Sequence, residues 1–274
     1  MIRNLLISLF LSLLVIAAST QRYRSCDDIK HENIKKVLLV TAHPDDIETL
    51  AGGTVAFLSL ECQLDVAYLI TTNGDKGWSK NYDMSSKELA QIRKKETRDA
   101  ADVLGVKSLF MLNQEDGRLE GVDYISLKRN ITKVVRTFTP DLLITFSPNI
   151  DLNAMQFGLI HQDHTTTGQS ALNVVWPAGR DYLSFIELYE QGYTPHIIPT
   201  VWLFTISTND NSNSMYIDIT DNKRFDRKVD ALLQHKSQYN TPQEVVDSLA
   251  QLGSYISKDP NKKYEAFTVV DIPH

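Results

Sequence analysis

Lys35-Lys36-Val37-Leu38-Leu39-Val40-Thr41-Ala42-His43-Pro44-Asp45-Asp46 is the stretch on which the fold turns. Residues 37–40 form a short apolar run that is continuous rather than alternating, as in a strand buried on both faces of a parallel sheet. The run gives way to a polar turn and then to a helical pattern over 48–60, with Gly52-Gly53 near its start. The same phrase repeats. Residues 64–70 read as a second apolar strand, leading into the turn cluster Thr71-Thr72-Asn73-Gly74-Asp75. Residues 85–104 read as a charged amphipathic helix, with Ser85-Ser86-Lys87-Glu88 as a capping box and Gly105 where a C-cap glycine belongs. A brief strand over 108–112, a helix over 124–138 stopped by Pro140, and a buried strand over 141–146 complete the series. This alternation predicts βαβ units: an α/β fold with a mostly parallel sheet and helices on both faces.

Beyond Thr165 the pattern loosens. Residues 165–176 are expected as a helix, 195–207 and 214–219 as strands, and 224–238 as a helix. There is no internal repeat, no Gly-, Ser- or Pro-rich linker and no compositional border, so one domain is expected over 34–274, after a polar lead over 21–33. The chain has 274 residues, 42% hydrophobic and 23% charged, which excludes disorder as its main state. Its net charge of -6 and lack of a basic run exclude nucleic acid as an expected partner.

Residues 1–20 stand apart. They carry one charge, Arg3, and an apolar run of fourteen residues, 5–18, ending in small residues. A membrane-spanning helix needs about 20 apolar residues, so the segment reads as a secretory signal peptide. An uncleaved signal anchor is the alternative and the only expected route to membrane association. Either places the chain in the secretory pathway, secreted or in the endoplasmic reticulum. Cys26 and Cys62 are read as separate thiols, with pairing open in an oxidising compartment. Asn130-Ile131-Thr132 is a glycosylation sequon.

In open α/β sheets, ligands sit beyond the carboxyl ends of the strands. Three polar groups follow such ends: His43-Pro44-Asp45-Asp46, Thr72-Asn73-Gly74-Asp75, and, after a loop, His161-Gln162-Asp163-His164. Two carboxylates beside an imidazole repel unless a cation or proton resolves them. His43 and Asp46, three residues apart across a strand-to-helix turn, can converge on zinc, and one of His161 and His164 can complete the site. Asp45 is then free to act as general base toward a metal-activated water, and the spare histidine to donate to an oxyanion or a leaving amine. The bland reading of Asp45 or Asp46 is a cap on the following helix.

Ala42-His43-Pro44-Asp45-Asp46-Ile47-Glu48 with Gly52-Gly53-Thr54 resembles the signature of the LmbE-like, or PIG-L, de-N-acetylases. In order along the chain, Thr72 to Gly77, Arg93 with Glu96, Leu104-Gly105, Asp116 to Leu119, Pro140-Asp141, His161 to His164, Asp218 to Thr220 and His235 to Gln238 also match that family. The resemblance implies a Rossmann-like single domain. It implies His43, Asp46 and His164 as ligands of zinc, or of Fe(II), Co(II) or Mn(II) in its place. It implies Asp45 as general base, His161 as the group that stabilises the oxyanion and protonates the amine, and Asp163 as an orienting residue. Arg93, Asn73 and Asp75 become candidate substrate contacts. The implied reaction removes an N-acetyl group from a glucosamine-containing substrate, an amino sugar or a glycolipid. One rival is a membrane-tethered N-acetylglucosaminyl-phosphatidylinositol deacetylase. Another is an idle sugar-binding relative. Gln162 stands where many relatives have Pro. Trp176, Trp202 and Tyr193 are read as core residues, with a sugar-stacking wall as the alternative, and His235 as a hydrogen-bonded core or rim histidine.

Overall fold

Continuous apolar runs become central strands because both of their faces are covered. The computed structural model describes residues 25–77, 83–206, 213–239 and 241–273. The segment read as a signal peptide or anchor lies outside the described residues. A short helix α1 (Cys26–His31) precedes β1 (Lys36–Thr41). There follow α2 (Asp46–Ala56), β2 (Asp65–Thr72), α3 (Ser86–Val103), β3 (Ser108–Gln114), α4 (Tyr124–Phe138) and β4 (Leu142–Phe146). The second half supplies α5 (Gln162–Asn173), α6 (Ile186–Glu190), β5 (Thr200–Thr205), β6 (Ser214–Asp218), α7 (Asn222–Leu232), α8 (Pro242–Ser257) and β7 (Tyr264–Asp271).

The seven strands form one sheet in the order β3-β2-β1-β4-β5-β7-β6. β3 to β5 are parallel, and β7 pairs antiparallel with both β5 and β6. Side chains of a strand alternate between faces, and two cores result. Val37 and Leu39 join Tyr68, Ile144 and Trp202 on one face, under α2, α3, α7 and α8. Leu38 and Val40 join Leu69, Leu143 and Val201 on the other, under α4 and α5. The chain is a single α/β domain with helices on both sides of a mostly parallel sheet, as its first half predicts.

The path of the chain creates the crevice. It runs outward from β1 through β2 to β3, then returns to place β4 on the other side of β1. The carboxyl ends of β1 and β4 therefore flank the point where strand order reverses, the usual ligand position in such sheets. α2 leaves β1 at this point and must pack closely. A Cβ at Gly53 would lie 2.5 Å from Ile219 Cγ2, and one at Gly52 2.9 Å from Lys228 Cγ. Beneath α2, Glu265 accepts the N–H groups of Gly53 (3.0 Å) and Thr54 (2.6 Å) and pairs with the buried Lys228 at 2.5 Å.

Several expectations need correction. The helix expected over 165–176 starts earlier, at Gln162, and ends at Asn173, where a π turn (Val174–Ala178) carries the chain through the cis Trp176–Pro177 bond. The strand expected over 195–207 is shorter, Thr200–Thr205, and α8 and β7 lie in a region to which no element was assigned. Cys26 and Cys62 are not separate thiols: they form a disulfide that ties α1 to the end of the π turn following α2. Asn130 sits half-buried within α4 rather than in a loop.

Candidate metal centre and active site

The turn after β1 is built around Asp46. As the first residue of α2, it turns its Oδ2 back to accept the N–H groups of Ala42 (3.1 Å) and His43 (2.7 Å). Its carboxylate thus fixes the turn from which His43 projects, and its Oδ1 remains for His164 Nε2, 3.1 Å away. Asp45 occupies the N-cap position but makes no side-chain cap bond. Its φ of 90° lies in the left-handed region that favours glycine, a strain of about 1–3 kcal/mol that persists where the surroundings over-determine the backbone. Arg93 of α3 is one such constraint. It donates to the carbonyls of Pro44 and Gly74 and, at 2.8 Å, to Asp45 Oδ2.

His161 caps α5 by accepting the Asp163 N–H at Nδ1, 3.1 Å. His161 and His164 thus stand at the helix start, one as the cap and the other in the first turn. The His164 ring stacks on Phe146 at the end of β4, with centroids 4.1 Å apart. Asp163 is fully buried and accepts the N–H groups of Gly117 (2.7 Å) and Leu119 (3.0 Å), which brings the loop after β3 into the site. That loop delivers Asp116, whose Oδ1 lies 3.1 Å from His43 Nε2, with Asp163 Oδ2 at 3.2 Å from the same nitrogen. The orienting role foreseen for Asp163 falls on His43 rather than His161, whose Nδ1 is 3.9 Å away.

The donor set fits a divalent cation. His164 Nδ1 faces the Leu159 carbonyl at 3.0 Å, which can only accept, so Nδ1 carries the proton and Nε2 presents a lone pair. His43 Nε2 faces two carboxylates, so in the neutral ring Nδ1 presents the lone pair. These two nitrogens stand 3.2 Å apart; Asp46 Oδ1 lies 3.1 Å from His164 Nε2, and Asp46 Oδ2 lies 3.6 Å from His43 Nδ1. Ligand atoms around a tetrahedral zinc stand about 3.3–3.4 Å apart, from zinc–ligand distances of about 2.0–2.1 Å. A second possible cluster joins His43, Asp116, His161 and Asp163. There Asp163 accepts two backbone N–H groups and His161 Nδ1 a third, and His43 would have to turn its Nε2 rather than its Nδ1 to the ion.

The electrostatics agree. Burial opposes a charge on His43, yet Asp46, Asp116 and Asp163 hold its pKa well above the usual value. Burial likewise opposes a charge on Asp46, but His164 and His43 hold its carboxyl far below the ordinary range. A site that holds a proton this firmly meets the same need that a metal cation would. Burial raises Asp45, and Arg93 opposes the rise. His161 is lowered by burial and by His43.

The remaining predicted residues lie further out. Arg93 is 3% exposed and stands behind Asp45, to which it donates. Glu96, one turn on, accepts the Ser237 N–H and hydroxyl, each at 2.7 Å. Asn73 accepts the Asp75 N–H, and Asp75 accepts the Asp116 N–H at 3.0 Å, so both shape the loop beneath Asp116. Trp202 is buried against Phe267 and Tyr193 packs on the cluster around Leu188, but Trp176 is not core: it is 53% exposed past the far end of α5 from His161, with Arg180 over its ring, and no sugar-stacking wall forms from the three. His235 is fully buried with Nε2 3.3 Å from Glu48, the core position expected. Asp116 was not singled out for a role from sequence. Its signals were an Asp-Gly pair following a strand and the match of Asp116 to Leu119 to the family.

A family model described as GlcNAc-PI de-N-acetylase (PIG-L) matches residues 38–175, from β1 through the end of α5. The chain belongs to the PIG-L family. Among its relatives, a probable N-acetyl-α-D-glucosaminyl L-malate deacetylase 2 of Bacillus cereus is 30% identical over 208 residues, covering 74% of this chain and 84% of the relative. A diacetylchitobiose deacetylase of Thermococcus kodakarensis is 29% identical over 213 residues, covering 78% of this chain and 73% of the relative. The solved structure of the N,N'-diacetylchitobiose deacetylase of Pyrococcus horikoshii with an inhibitor superposes with a TM-score of 0.76 at 25% identity, covering 89% of this chain and 86% of that one. These relatives correct the expected location. They are bacterial and archaeal deacetylases, from cells without an endoplasmic reticulum, and the secretory-pathway placement read from residues 1–20 does not hold. No helix among the described residues is long and apolar enough to cross a membrane.

Proposed function

We infer that this member of the PIG-L family hydrolyses the N-acetyl amide of a GlcNAc-containing substrate in a metal-dependent reaction, releasing acetate and a free amine. The observation that carries this reading is the convergence of two histidine lone pairs and one carboxylate beside a half-buried carboxylate, Asp45, that is not a member of that cluster. His43, Asp46 and His164 would hold the ion, zinc by default. When bound, it supplies Lewis acidity, which polarises an amide carbonyl and brings the pKa of water to about 7.

This chain's residues do the rest. Asp45 accepts the proton of the attacking water as the carbon–oxygen bond forms; burial makes it a better base, and Arg93 keeps it ionised and aimed. His161 Nδ1 is occupied by the Asp163 N–H, so its neutral ring carries the proton at Nε2. From there it donates a hydrogen bond to the developing oxyanion, and the proton that Asp45 took from the water passes to the nitrogen beside His161 as the carbon–nitrogen bond breaks. Asp116 and Asp163 fix the His43 ring by accepting from Nε2, as outer partners of metal-binding histidines do.

The test uses the purified chain. Metal is measured by elemental analysis, and acetate release from N-acetylglucosamine, its oligomers, N-acetylglucosaminyl malate and N-acetylglucosaminyl-phosphatidylinositol. About one metal per chain and release from one of these is expected. Asp45→Asn should retain metal and lose turnover by about 10²–10⁴-fold, as for loss of a general base; His164→Ala should lose metal. Near-normal turnover in Asp45→Asn would overturn the base assignment. Bound metal with no acetate from any substrate would favour a sugar-binding protein.

A further inference from the structure

Residues 235–238 match the family in sequence but contribute no ligand to the candidate centre. They form a turn just after α7, closed by the Gln238 N–H on the His235 carbonyl at 3.0 Å. α7 packs on both α2 and α3, the helices that carry Asp45 at the start of one and Arg93 within the other. The turn bonds to each of them. His235 Nε2 lies 3.3 Å from Glu48 Oε2 of α2. An ionised carboxylate can only accept, so this nitrogen carries the proton. Ser237 gives Glu96 of α3 its N–H and its hydroxyl, each at 2.7 Å. The Gln238 amide donates to that same hydroxyl oxygen at 2.8 Å. Glu48, Glu96 and His235 are all buried.

The spacing gives these bonds their consequence. Glu48 stands three residues after Asp45, and Glu96 three residues after Arg93. On a helix, positions i and i+3 share a face one turn apart. Two residues of one turn therefore hold the acids that follow the proposed base and its counter-ion, which meet at 2.8 Å. Glu48 is the third residue of α2, where a glutamate commonly turns back to cap its own helix. Here it reaches across to His235 instead, and Asp45 makes no side-chain cap bond. Two buried carboxylates are costly to hold, and apolar residues of similar size would join the helices at less cost. Directional hydrogen bonds, by contrast, fix how far each helix is rotated and advanced. In the deacetylase reading, on which this inference rests, Asp45 must meet the attacking water at hydrogen-bond distance. We propose that residues 235–238 are a positioning clamp for that reaction: His235 and Ser237, by holding Glu48 and Glu96, set the geometry of Asp45 against Arg93.

The test measures kcat per bound metal and KM for acetate release, on the N-acetylglucosamine compound that the wild type turns over, well below the melting temperature of each variant. Ser237→Ala should keep its metal and a KM within about twofold but lose at least about tenfold in kcat, within the range that small misplacements of catalytic groups cost. Ser237→Thr keeps the hydroxyl and should restore most of that loss. His235→Gln keeps a donor toward Glu48 and should exceed His235→Leu in kcat; if His235→Leu does not fold, the Ser237 variants decide alone. Because the clamp acts through Asp45, adding Ser237→Ala to Asp45→Asn should cost less than about twofold more. An unchanged kcat in Ser237→Ala, no recovery in Ser237→Thr, or the full loss repeated in the Asp45→Asn background overturns the proposal and leaves the deacetylase reading standing. A wild type that releases no acetate from any substrate overturns that reading and the clamp with it.

Discussion

Arg93→Met tests whether the turn that carries Asp45 is held from behind. The guanidinium is 3% exposed and makes three contacts, to the carbonyls of Pro44 and Gly74 and, at 2.8 Å, to Asp45 Oδ2. Methionine fills much of the volume and makes none of them. Breaking a buried ion pair from one side destabilises by about 3–5 kcal/mol, because the remaining charge is left uncompensated. The Asp45 side chain is 19% exposed, so partial rehydration eases that charge and places the expected loss at the lower end, about 3 kcal/mol. The assay is urea unfolding at neutral pH in excess chelator, so that bound metal does not add to the folded state. The decisive comparison is the double-mutant cycle with Asp45→Asn, which removes the orphaned charge. The double variant should be more stable than the sum of the single losses requires, by at least about 1 kcal/mol. A loss below about 1 kcal/mol for Arg93→Met would mark the pair as no more than a surface ion pair. Strict additivity would show that Arg93 does not act through Asp45.

Four further outcomes can be checked separately. Gly53→Ala would gain about 1 kcal/mol of helix propensity, but its Cβ meets Ile219 Cγ2 at 2.5 Å, so a net loss of about 1–2 kcal/mol in urea unfolding is expected, and a stabilised variant would mean that α2 can shift on β6. Cys26→Ser opens a link across a separation of 36 residues; the chain-entropy relation gives a loss of about 4 kcal/mol, read as the difference from the oxidised chain in the same urea series, and a loss under about 1 kcal/mol would show that packing of Ile29 holds α1 unaided. Asp123 caps α4, and bonds from the Ser126 hydroxyl and then from the Ile125 N–H hold its carboxyl below the usual range. Because the folded-state pKa is depressed, its contribution is present above about pH 4 and is lost as pH falls below that value; the stability curves of wild type and Asp123→Asn should converge in acid, and a constant gap would contradict the capping role. Asp116→Asn separates the two metal clusters: metal retained at one per chain with affinity weaker by about 10–100-fold places Asp116 behind His43, whereas complete loss would make Asp116 a ligand itself.

How much of this was visible in the sequence depends on how local each signal is. Residues 37–40 could be read as a buried parallel strand because covering both faces demands an unbroken apolar run, and the structure places Val37 opposite both Val66 and Leu142. The Ser85–Glu88 capping box needed only four residues and is present as read. α8 also carried a local signal, Thr241 before Pro242 with Glu244 in its first turn, but the preceding loosening of pattern drew attention away from it. β7 was less legible. It runs antiparallel between β5 and β6, so its pairing depends on a return of the chain that no nearby residue announces. The disulfide shows the same limit, since the approach of Cys26 to Cys62 is made by α1 packing on the core through Ile29 and not by either cysteine's neighbours.

The site divides along the same line. His43, Asp45 and Asp46 could be read together because one turn carries them, and the bland alternative of a helix cap turns out to describe a different arrangement: Asp46 fixes the turn through the Ala42 and His43 N–H groups, while Asp45 is left without a cap bond at a strained φ of 90°. A carboxylate used merely to start a helix would have had the opposite geometry, with the extended backbone and side-chain bond that Asp221 shows before α7. What the turn cannot reveal is what stands behind it. Arg93 reaches Asp45 from α3 across 48 residues, and Asp116 reaches His43 only because Asp163, on another helix, collects the Gly117 and Leu119 N–H groups. Asp163 therefore has a second consequence beyond orienting a histidine. It joins the loop after β3 to the N-terminus of α5, so that the residues around His43 come from three strand ends at once. The helix alone suggests a solvated Arg93 beside Glu96, and the candidate substrate contact came from the family resemblance. The fold reverses that face, and the charge becomes the counter-ion of the proposed base.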